Sequence, residues 1–150
     1  MLNASPAQIL AALPPNQRAA VLSKLTPAEQ ATAVYCWPIW ARPNQLLPRG
    51  DWTYWMLLAG RGFGKTRTGA ETVRQWVRHN QFVSIIGPTA ASARDVMVEG
   101  PAGILAICPD DERPTYLKSQ NKLEWQNGAV TLIFSADEPE RLRGPQHAKI

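Results

Sequence analysis

The chain has 150 residues, of which 45% are hydrophobic and 19% are charged, a balance typical of one globular domain with a real core. No apolar run approaches the ~18 residues that a membrane-spanning helix needs, so the composition argues against a membrane protein. Sixteen Lys and Arg against twelve Asp and Glu leave a net charge of +4, which is compatible with anionic partners such as nucleotides or nucleic acid.

Residues 1–36 are predicted to form a separate N-terminal segment of short helices. Ser5-Pro6 and Thr26-Pro27 each place a good N-cap residue before a proline at the first helical position, and Glu29 completes a capping box. The first 25 residues have no cationic start and no uninterrupted apolar stretch, so they do not resemble a secretory signal. We therefore expect a cytoplasmic protein with no membrane partner.

The remaining residues, 37–150, are predicted to form one α/β domain. Three prolines and one glycine make residues 37–52 an extended connection. After it the pattern alternates between strand and helix, with predicted elements at Tyr54 to Ala59, Lys65 to His79, Phe82 to Gly87 and Thr89 to about Gly100. This alternation predicts a parallel sheet with right-handed crossovers and flanking helices.

Two further features are a hairpin pattern and the two cysteines. Lys122 to Trp125 and Ala129 to Phe134 flank Asn127-Gly128, which predicts a β-hairpin with a two-residue turn. Cys36 and Cys108 are far apart in sequence and belong to no C-x-x-C pattern. We interpret both as core thiols, with no disulfide framework and no metal site.

The stretch from Ala59 to Thr66, AGRGFGKT, matches the phosphate-binding pattern G-x-x-x-x-G-K-[ST] except that alanine stands at its first position. Gly62 and Gly64 can turn successive N–H groups inward at a helix N-terminus, which makes a nest for phosphate oxygens. Lys65 would reach the β- and γ-phosphates, and the Thr66 hydroxyl would join the Mg²⁺ shell. The alternative is a glycine-rich turn that carries a surface lysine.

Several motifs in order resemble one family, the N-terminal ATPase domain of the large terminase subunit of tailed bacteriophages and prophages. They lie within residues 37–147 and comprise ARPNQLLP (41–48), LLAGRGFGKTRTGAE (57–71), IIGPTAASARDVMVEG (85–100) and FSADEPERLRGPQH (134–147). The resemblance implies a P-loop ATPase that uses ATP and Mg²⁺ to pump double-stranded DNA into a procapsid. It also implies a homo-oligomeric ring, with the portal and the small terminase subunit as partners.

The resemblance assigns roles to particular residues. The nucleotide-binding set is Gly60, Arg61, Gly62, Phe63, Gly64, Lys65, Thr66 and Arg67, with Thr66 as the metal ligand. Within it, Lys65 and Arg61 are the expected catalytic cations, because Arg61 would be a second cation near the γ-phosphate. Gln45 matches an adenine-contacting glutamine, and the alternative for it is a solvated loop residue.

Arg143 is the third expected catalytic residue. It lies in the run Arg141 to Gly144, where the family has an arginine that reaches the nucleotide of a neighbouring subunit. Such an arginine finger accelerates phosphoryl transfer by about 10³ to 10⁵. A basic surface loop is the alternative interpretation of this run.

The acidic strand that completes the Mg²⁺ site in this family has no counterpart in the pattern. Asp110 to Glu112 follow a proline and have no strand behind them, so they do not replace it. Asp137 and Glu138 precede the arginine run, and a solvated loop is the expected role of these two residues. Only PQHAKI follows Gly144, and the separate nuclease domain of the family has no match. We expect an incomplete P-loop sheet, a truncated remnant or fragment, with weak or no hydrolysis alone.

Two other functions remain open on sequence. The chain could be a non-enzymatic interaction fragment that binds terminase, portal or small-subunit partners through its helical N-terminus. It could also be another P-loop enzyme, such as a helicase or a nucleotide kinase, although the GPTAASAR and RLRG runs argue against this.

Overall fold

A computed structural model describes residues 3–150, which form two compact units. The first unit ends at Leu58, and the second comprises Ala59–Ile150. The predicted boundary at residue 36 remains a prediction, because this division does not address where an N-terminal segment ends.

The first unit is helical, as predicted for its first 36 residues. Its helices are α1 (Pro6–Ala12), α2 (Pro15–Leu22), α3 (Pro27–Ala33) and α4 (Trp37–Trp40), and a 3₁₀ turn follows at Pro43–Gln45. The predicted capping box at Thr26 is present, and the predicted N-cap Ser5 also forms a capping box, with Gln8. Ser5 and Thr26 each accept a hydrogen bond from the backbone N–H three residues later. These caps fix the residues at which α1 and α3 begin.

The second unit is α/β. Its helices are α5 (Lys65–Trp76), α6 (Ala90–Ser92) and α7 (Ile104–Ile107), and its strands are β1 (Phe82–Gly87), β2 (Thr115–Leu117), β3 (Lys122–Glu124) and β4 (Val130–Ser135). The predicted helix from Thr89 to Gly100 is α6, capped by Thr89, followed by a π-helical stretch at Ala93–Val98. Short 3₁₀ helices lie at Lys118–Gln120 and Pro139–Arg143.

The four strands form a mixed sheet in the order β1-β4-β3-β2. Strands β1 and β4 are parallel, with Phe82 opposite Val130 and Gly87 opposite Ser135, whereas β3 is antiparallel to both β4 and β2. The prediction of a parallel sheet is therefore correct for one strand pair only. A tight hairpin must join antiparallel neighbours, and this one places β3 between β4 and β2.

The predicted strand from Tyr54 to Ala59 is wrong. These residues do not form a strand, and Tyr54 and Leu58 are 92% and 87% exposed. A strand requires a neighbour that pairs its backbone N–H and C=O groups, and no segment among residues 3–150 pairs with this one. The predicted crossover from this strand to β1 is therefore not formed.

The predicted hairpin is present, but its turn differs. Trp125 N–H donates to Ala129 O at 2.9 Å, so the connection has three residues, Gln126 to Gly128, and Gly128 takes φ +84°. A two-residue type I′ turn would need positive φ at Asn127 as well. The Asn127 side chain is used otherwise, since its Nδ2 donates to Val77 O at 2.9 Å.

The core of the second unit lies between the sheet and helices α5 and α7. Its fully buried side chains include Val83, Val98, Ile104, Ile107, Cys108 and Leu123. Cys108 is thus a core thiol as predicted, whereas Cys36 is only partly buried. The predicted apolar face of α5 is confirmed, because Ala70, Val73 and Val77 are buried and Trp76 packs against the core.

Residues 147–149 lie along the edge of β1 that β4 leaves open. Lys149 forms a parallel bridge with Val83, and Ser84 N–H donates to Lys149 O at 2.8 Å. His147 Nε2 donates to Leu142 O at 3.0 Å, so His147 Nδ1 accepts from the Ser84 hydroxyl at 2.6 Å. The sheet is therefore extended by one bridge that the sequence did not predict.

Candidate functional site

The glycine-rich loop leads directly into α5, as predicted. Gly64 is the N-cap residue of α5 with φ +90°, and Gly62 has φ +79°. Both values lie in the left-handed region, which costs a residue with a Cβ about 1–2 kcal/mol. These two positions therefore require glycine for conformational reasons, and α5 begins with a sharp turn of the backbone.

Lys65 reaches back across the loop. Its Nζ donates to Ala59 O at 2.8 Å and to Gly60 O at 2.9 Å, so the first helical residue is joined to the first two residues of the loop. The side chain is exposed. The ammonium group is thus held by two neutral acceptors and has no carboxylate partner in these two contacts, which leaves its positive charge at the loop uncompensated.

The other predicted loop residues have different surroundings. Arg61 is exposed, and Phe63 and Thr66 are partly buried. Arg67 forms an ion pair with Glu71, with Nη2 2.8 Å and Nε 2.9 Å from Oε1. The structure therefore brings Gly60 to Thr66 together at the start of α5 and directs Arg67 to Glu71. Nucleotide contacts of these residues remain predictions.

A chain of charges anchors α5, and the sequence interpretation missed it. Glu71 has a side chain only 1% exposed, and it contacts Arg67 on one side and Arg74 Nη1 at 3.4 Å on the other. Arg74 Nε in turn lies 2.7 Å from Glu112 Oε2, and Arg78 also binds Glu112. The network links the helix that follows the loop to the turn after α7.

Part of this charge network could have been predicted from spacing in the sequence. Arg67 and Glu71 are four residues apart and Glu71 and Arg74 are three apart, spacings that place charges side by side on a helix. Glu112 had no such signal, because it is far from α5 in sequence. In the structure Glu112 accepts hydrogen bonds from two arginines, Arg74 and Arg78.

The pKa directions agree with this arrangement. The hydrogen bond from Arg74 lowers the pKa of the Glu112 carboxyl, and partial burial opposes that effect. Burial tends to lower the pKa of Arg74, but its hydrogen bond to Glu112 and the charges of Glu112 and Glu71 raise it above the ordinary value. Both shifts favour the charged forms, so the pair is ionised near neutral pH.

Gln45 and Arg143 lie outside the loop. Gln45 is buried, and its Oε1 accepts from Arg42 N at 3.0 Å, so the alternative of a solvated residue is wrong. Arg143 is highly exposed and pairs with Glu140 at 2.9 Å within the 3₁₀ helix at Pro139–Arg143. The predicted adenine contact and the predicted finger role remain predictions.

Carboxylates do not gather around the loop in a metal-binding cluster. Within residues 3–150, no group of three or more His, Cys, Asp or Glu side chains is placed to hold a metal ion. Asp137 is exposed and its N–H donates to Ser135 Oγ at 3.3 Å, in agreement with its predicted loop role. The hydroxyl of Thr66 is the one metal ligand that the loop pattern itself predicts.

The comparison with protein families decides to which family the chain belongs. The family described as terminase large subunit, T4likevirus-type, N-terminal, matches residues 56–150. The chain belongs to this terminase family. The match includes the loop, the GPTAASAR run and the arginine run on which the resemblance depended, and it supports a role connected with phage DNA packaging.

Two other comparisons and one structural feature complete the description. A search of curated proteins and a search of solved structures each returned no significant match. Over residues 3–150, no helix has the length and apolarity needed to cross a membrane. The terminase assignment therefore depends on the family match and on the motifs within it.

Proposed function

We propose that the chain is the ATP-binding part of a terminase motor that packages double-stranded DNA into procapsids. The observation that supports this most directly is the position of Lys65, whose Nζ lies 2.8 Å from Ala59 O and 2.9 Å from Gly60 O. An exposed ammonium group held only by carbonyls can exchange them for phosphate oxygens, which are stronger, charged acceptors. Lys65 thus marks where the phosphates bind.

The loop residues supply what ATP with Mg²⁺ needs. The backbone N–H groups at the start of α5 attract the phosphates, since the positive φ of Gly62 and Gly64 turns the chain there and the helix dipole favours negative charge. Bound Mg²⁺ would neutralise phosphate charge, and the Thr66 hydroxyl is suited to hold it. Arg61 provides a second cation, and Gln45 is the residue to which the family resemblance assigns the adenine contact.

Hydrolysis by the 150-residue chain alone is weak or absent in this proposal. A P-loop ATPase needs a carboxylate in the Mg²⁺ shell and a group that orients water, and we assign neither to a residue of this chain. Arg143 serves a neighbouring subunit, so it acts only within a homo-oligomeric ring. In that ring Arg143 would leave Glu140 and bind the developing phosphate charge.

DNA contact follows from charge. A motor must act on any sequence, so it binds the phosphate backbone through basic surface and does not read the bases. The net charge of +4 is compatible with this role. The portal and the small terminase subunit are the protein partners that we propose.

The test is nucleotide binding by the purified chain. A fluorescent ATP analogue with Mg²⁺ is titrated into the wild type, Lys65→Ala and the control Lys24→Ala, and phosphate release is measured on the same samples. Lys65→Ala should weaken binding by about 10-fold or more, because a charge-assisted contact to phosphate contributes roughly 1.5–3 kcal/mol. Lys24→Ala should bind as the wild type does.

Two further variants separate the roles. Thr66→Ala should reduce the dependence of binding on Mg²⁺, and Arg143→Ala should leave binding by the single chain unchanged. Turnover that depends on Lys65 would show that a carboxylate of this chain completes the site. No binding by a chain that unfolds cooperatively would refute the proposal.

A further inference from the structure

A groove of about 850 Å³ lies between the helices of the first unit. Helices α1 to α4 all contribute side chains to it, among them Ile9, Leu22, Ala33 and Trp40. All the lining residues are apolar except Arg18 and Gln30. The groove is therefore an almost purely hydrophobic surface, and such concave apolar surfaces mark interaction sites.

The helices around this groove bury very little within their own unit. No residue of α1, α2, α3 or α4 is fully buried, and Ala41 is the only buried hydrophobic residue between positions 3 and 58. Helices of seven or eight residues are marginal in water unless they pack against something. Covering the groove would therefore stabilise the helices that form it.

Among residues 3–150, the one charged residue that lines the groove is a cation, Arg18. Between residues 3 and 41 the chain has two cations, Arg18 and Lys24, and one acid, Glu29. The Glu29 carboxylate accepts from Thr26 N at 2.7 Å and from Thr26 Oγ1 at 2.9 Å, so it serves as a helix cap. Lys24 and Glu29 each adjoin a lining residue, Leu25 and Gln30, so their charges offset each other and Arg18 sets the sign of the groove. An occupant with acidic flanks complements this surface.

The apolar walls also restrict the backbone of the occupant. They offer few polar partners, so a bound segment must satisfy its own N–H and C=O groups. An α-helix does this internally and can present apolar side chains at i, i+3, i+4 and i+7. We propose that the groove between α1 and α4 docks an amphipathic helix of a partner protein whose polar face is acidic. This goes beyond nucleotide binding and does not depend on it.

The test uses the full chain and two synthetic helical peptides of about 18 residues. Both carry leucines at i, i+3, i+4 and i+7, and their remaining positions are rich in Glu in one peptide and in Lys in the other. By fluorescence anisotropy at low salt, the Glu peptide should bind about tenfold more tightly than the Lys peptide. The preference should shrink in 0.5 M salt because exposed charges are screened.

Matched variants locate the binding site. Val34 is 57% exposed and lines the groove, whereas Val96 is 48% exposed and lies in the π-helical stretch of the second unit. Val34→Asn should weaken binding of the Glu peptide about fivefold or more by removing apolar contact, and Val96→Asn should not. Circular dichroism checks that both variants keep their helices. Arg18→Gln with Lys24→Gln should remove the preference for the Glu peptide.

Several results would overturn the proposal. Equal binding of the two peptides would show that the partner need not be acidic. An equal loss of binding in the Val34 and Val96 variants would show that the groove is not the binding site. Tight binding to anionic phosphatidylglycerol vesicles without peptide binding would indicate a membrane surface. Self-association in sedimentation experiments, abolished by Val34→Asn, would indicate a second copy of the chain as the occupant. None of these results alters the nucleotide test with Lys65.

Discussion

Arg74 and Glu112 form a 2.7 Å ion pair between two segments that are 38 residues apart in sequence. Arg74 is buried in α5, and Glu112 lies in the turn after α7. Because Arg74 also contacts Glu71, the pair extends the charges of α5 beyond the helix itself. The first residues of α5 belong to the candidate phosphate loop, so this network helps to hold the loop in place.

Glu71→Gln should destabilise the second unit. The Glu71 carboxylate is almost completely buried between Arg67 and Arg74, and its neutralisation leaves buried positive charge with less compensation. Because Glu112 still pairs with Arg74, we expect the free energy of unfolding to fall by about 2–3 kcal/mol, less than for an isolated buried pair. Urea denaturation measures the loss. Glu140→Gln, which removes an exposed pair, should change stability by less than about 0.5 kcal/mol, and equal effects would contradict the prediction.

Glu112→Gln tests the pH dependence of the same network. The pKa of Glu112 is lowered in the folded chain, so its contribution is fully present above the unfolded pKa of about 4.3 and is lost as pH falls through the folded pKa. The wild type should exceed the variant by about 1 kcal/mol between pH 5.5 and 8, a value kept small because the carboxylate is 36% exposed. The difference should shrink toward zero below about pH 4.

The measurement is a series of denaturant titrations at fixed pH for both proteins. A stability difference that grows as the solution is acidified would contradict the assigned ion pairs. Lys122→Gln, at an exposed pair with Glu124, serves as a control for general charge effects.

Gly64→Ala and Gly69→Ala should have opposite effects on stability. Gly64 has φ +90°, so alanine there costs about 1–2 kcal/mol. Gly69 lies inside α5 and has no atom within 4 Å of the position of an added Cβ, so alanine should stabilise by about 0.4–1 kcal/mol. Thermal unfolding of the two variants checks this, and a stabilised Gly64→Ala protein would show that the turn into α5 is not as described.

The two cysteines should react at very different rates. Cys108 is fully buried, and burial raises the pKa of its thiol to about 11, so little thiolate is present at pH 8. Cys36 is partly exposed. An aromatic disulfide reagent, which releases a yellow thiolate on reaction, should therefore modify Cys36 quickly and Cys108 only on unfolding. The fast phase should disappear in Cys36→Ser, and a fast phase that persists would contradict the burial of Cys108.

Local patterns were sufficient for several elements. The N-caps at Ser5 and Thr26, strand β1 and the apolar face of α5 were predicted with nearly the observed boundaries, because each depends on neighbours within about four residues. The loop at Ala59 to Thr66 is similar, since glycine positions and the Lys-Thr pair specify a turn before a helix.

Elements that need a distant partner were predicted less well. Tyr54 to Ala59 has the composition of a buried strand, but composition alone cannot supply a neighbouring strand. Strand β2 was not predicted, because only its pairing with β3 defines it as a strand. The hairpin turn was misassigned by one residue, since the Asn127 side chain binds Val77 O on another element.

The sequence by itself determined the motif order, the family resemblance that the family match confirms, and the position of the glycine-rich loop before α5. These are properties of residue identity and short-range spacing. Only the tertiary structure decided that the sheet is mixed, that Lys65 is held by Ala59 and Gly60, and that Glu71 lies buried between two arginines. Each of these depends on which groups meet in space, and the free energy of a buried charge is set by partners that spacing along the chain does not reveal.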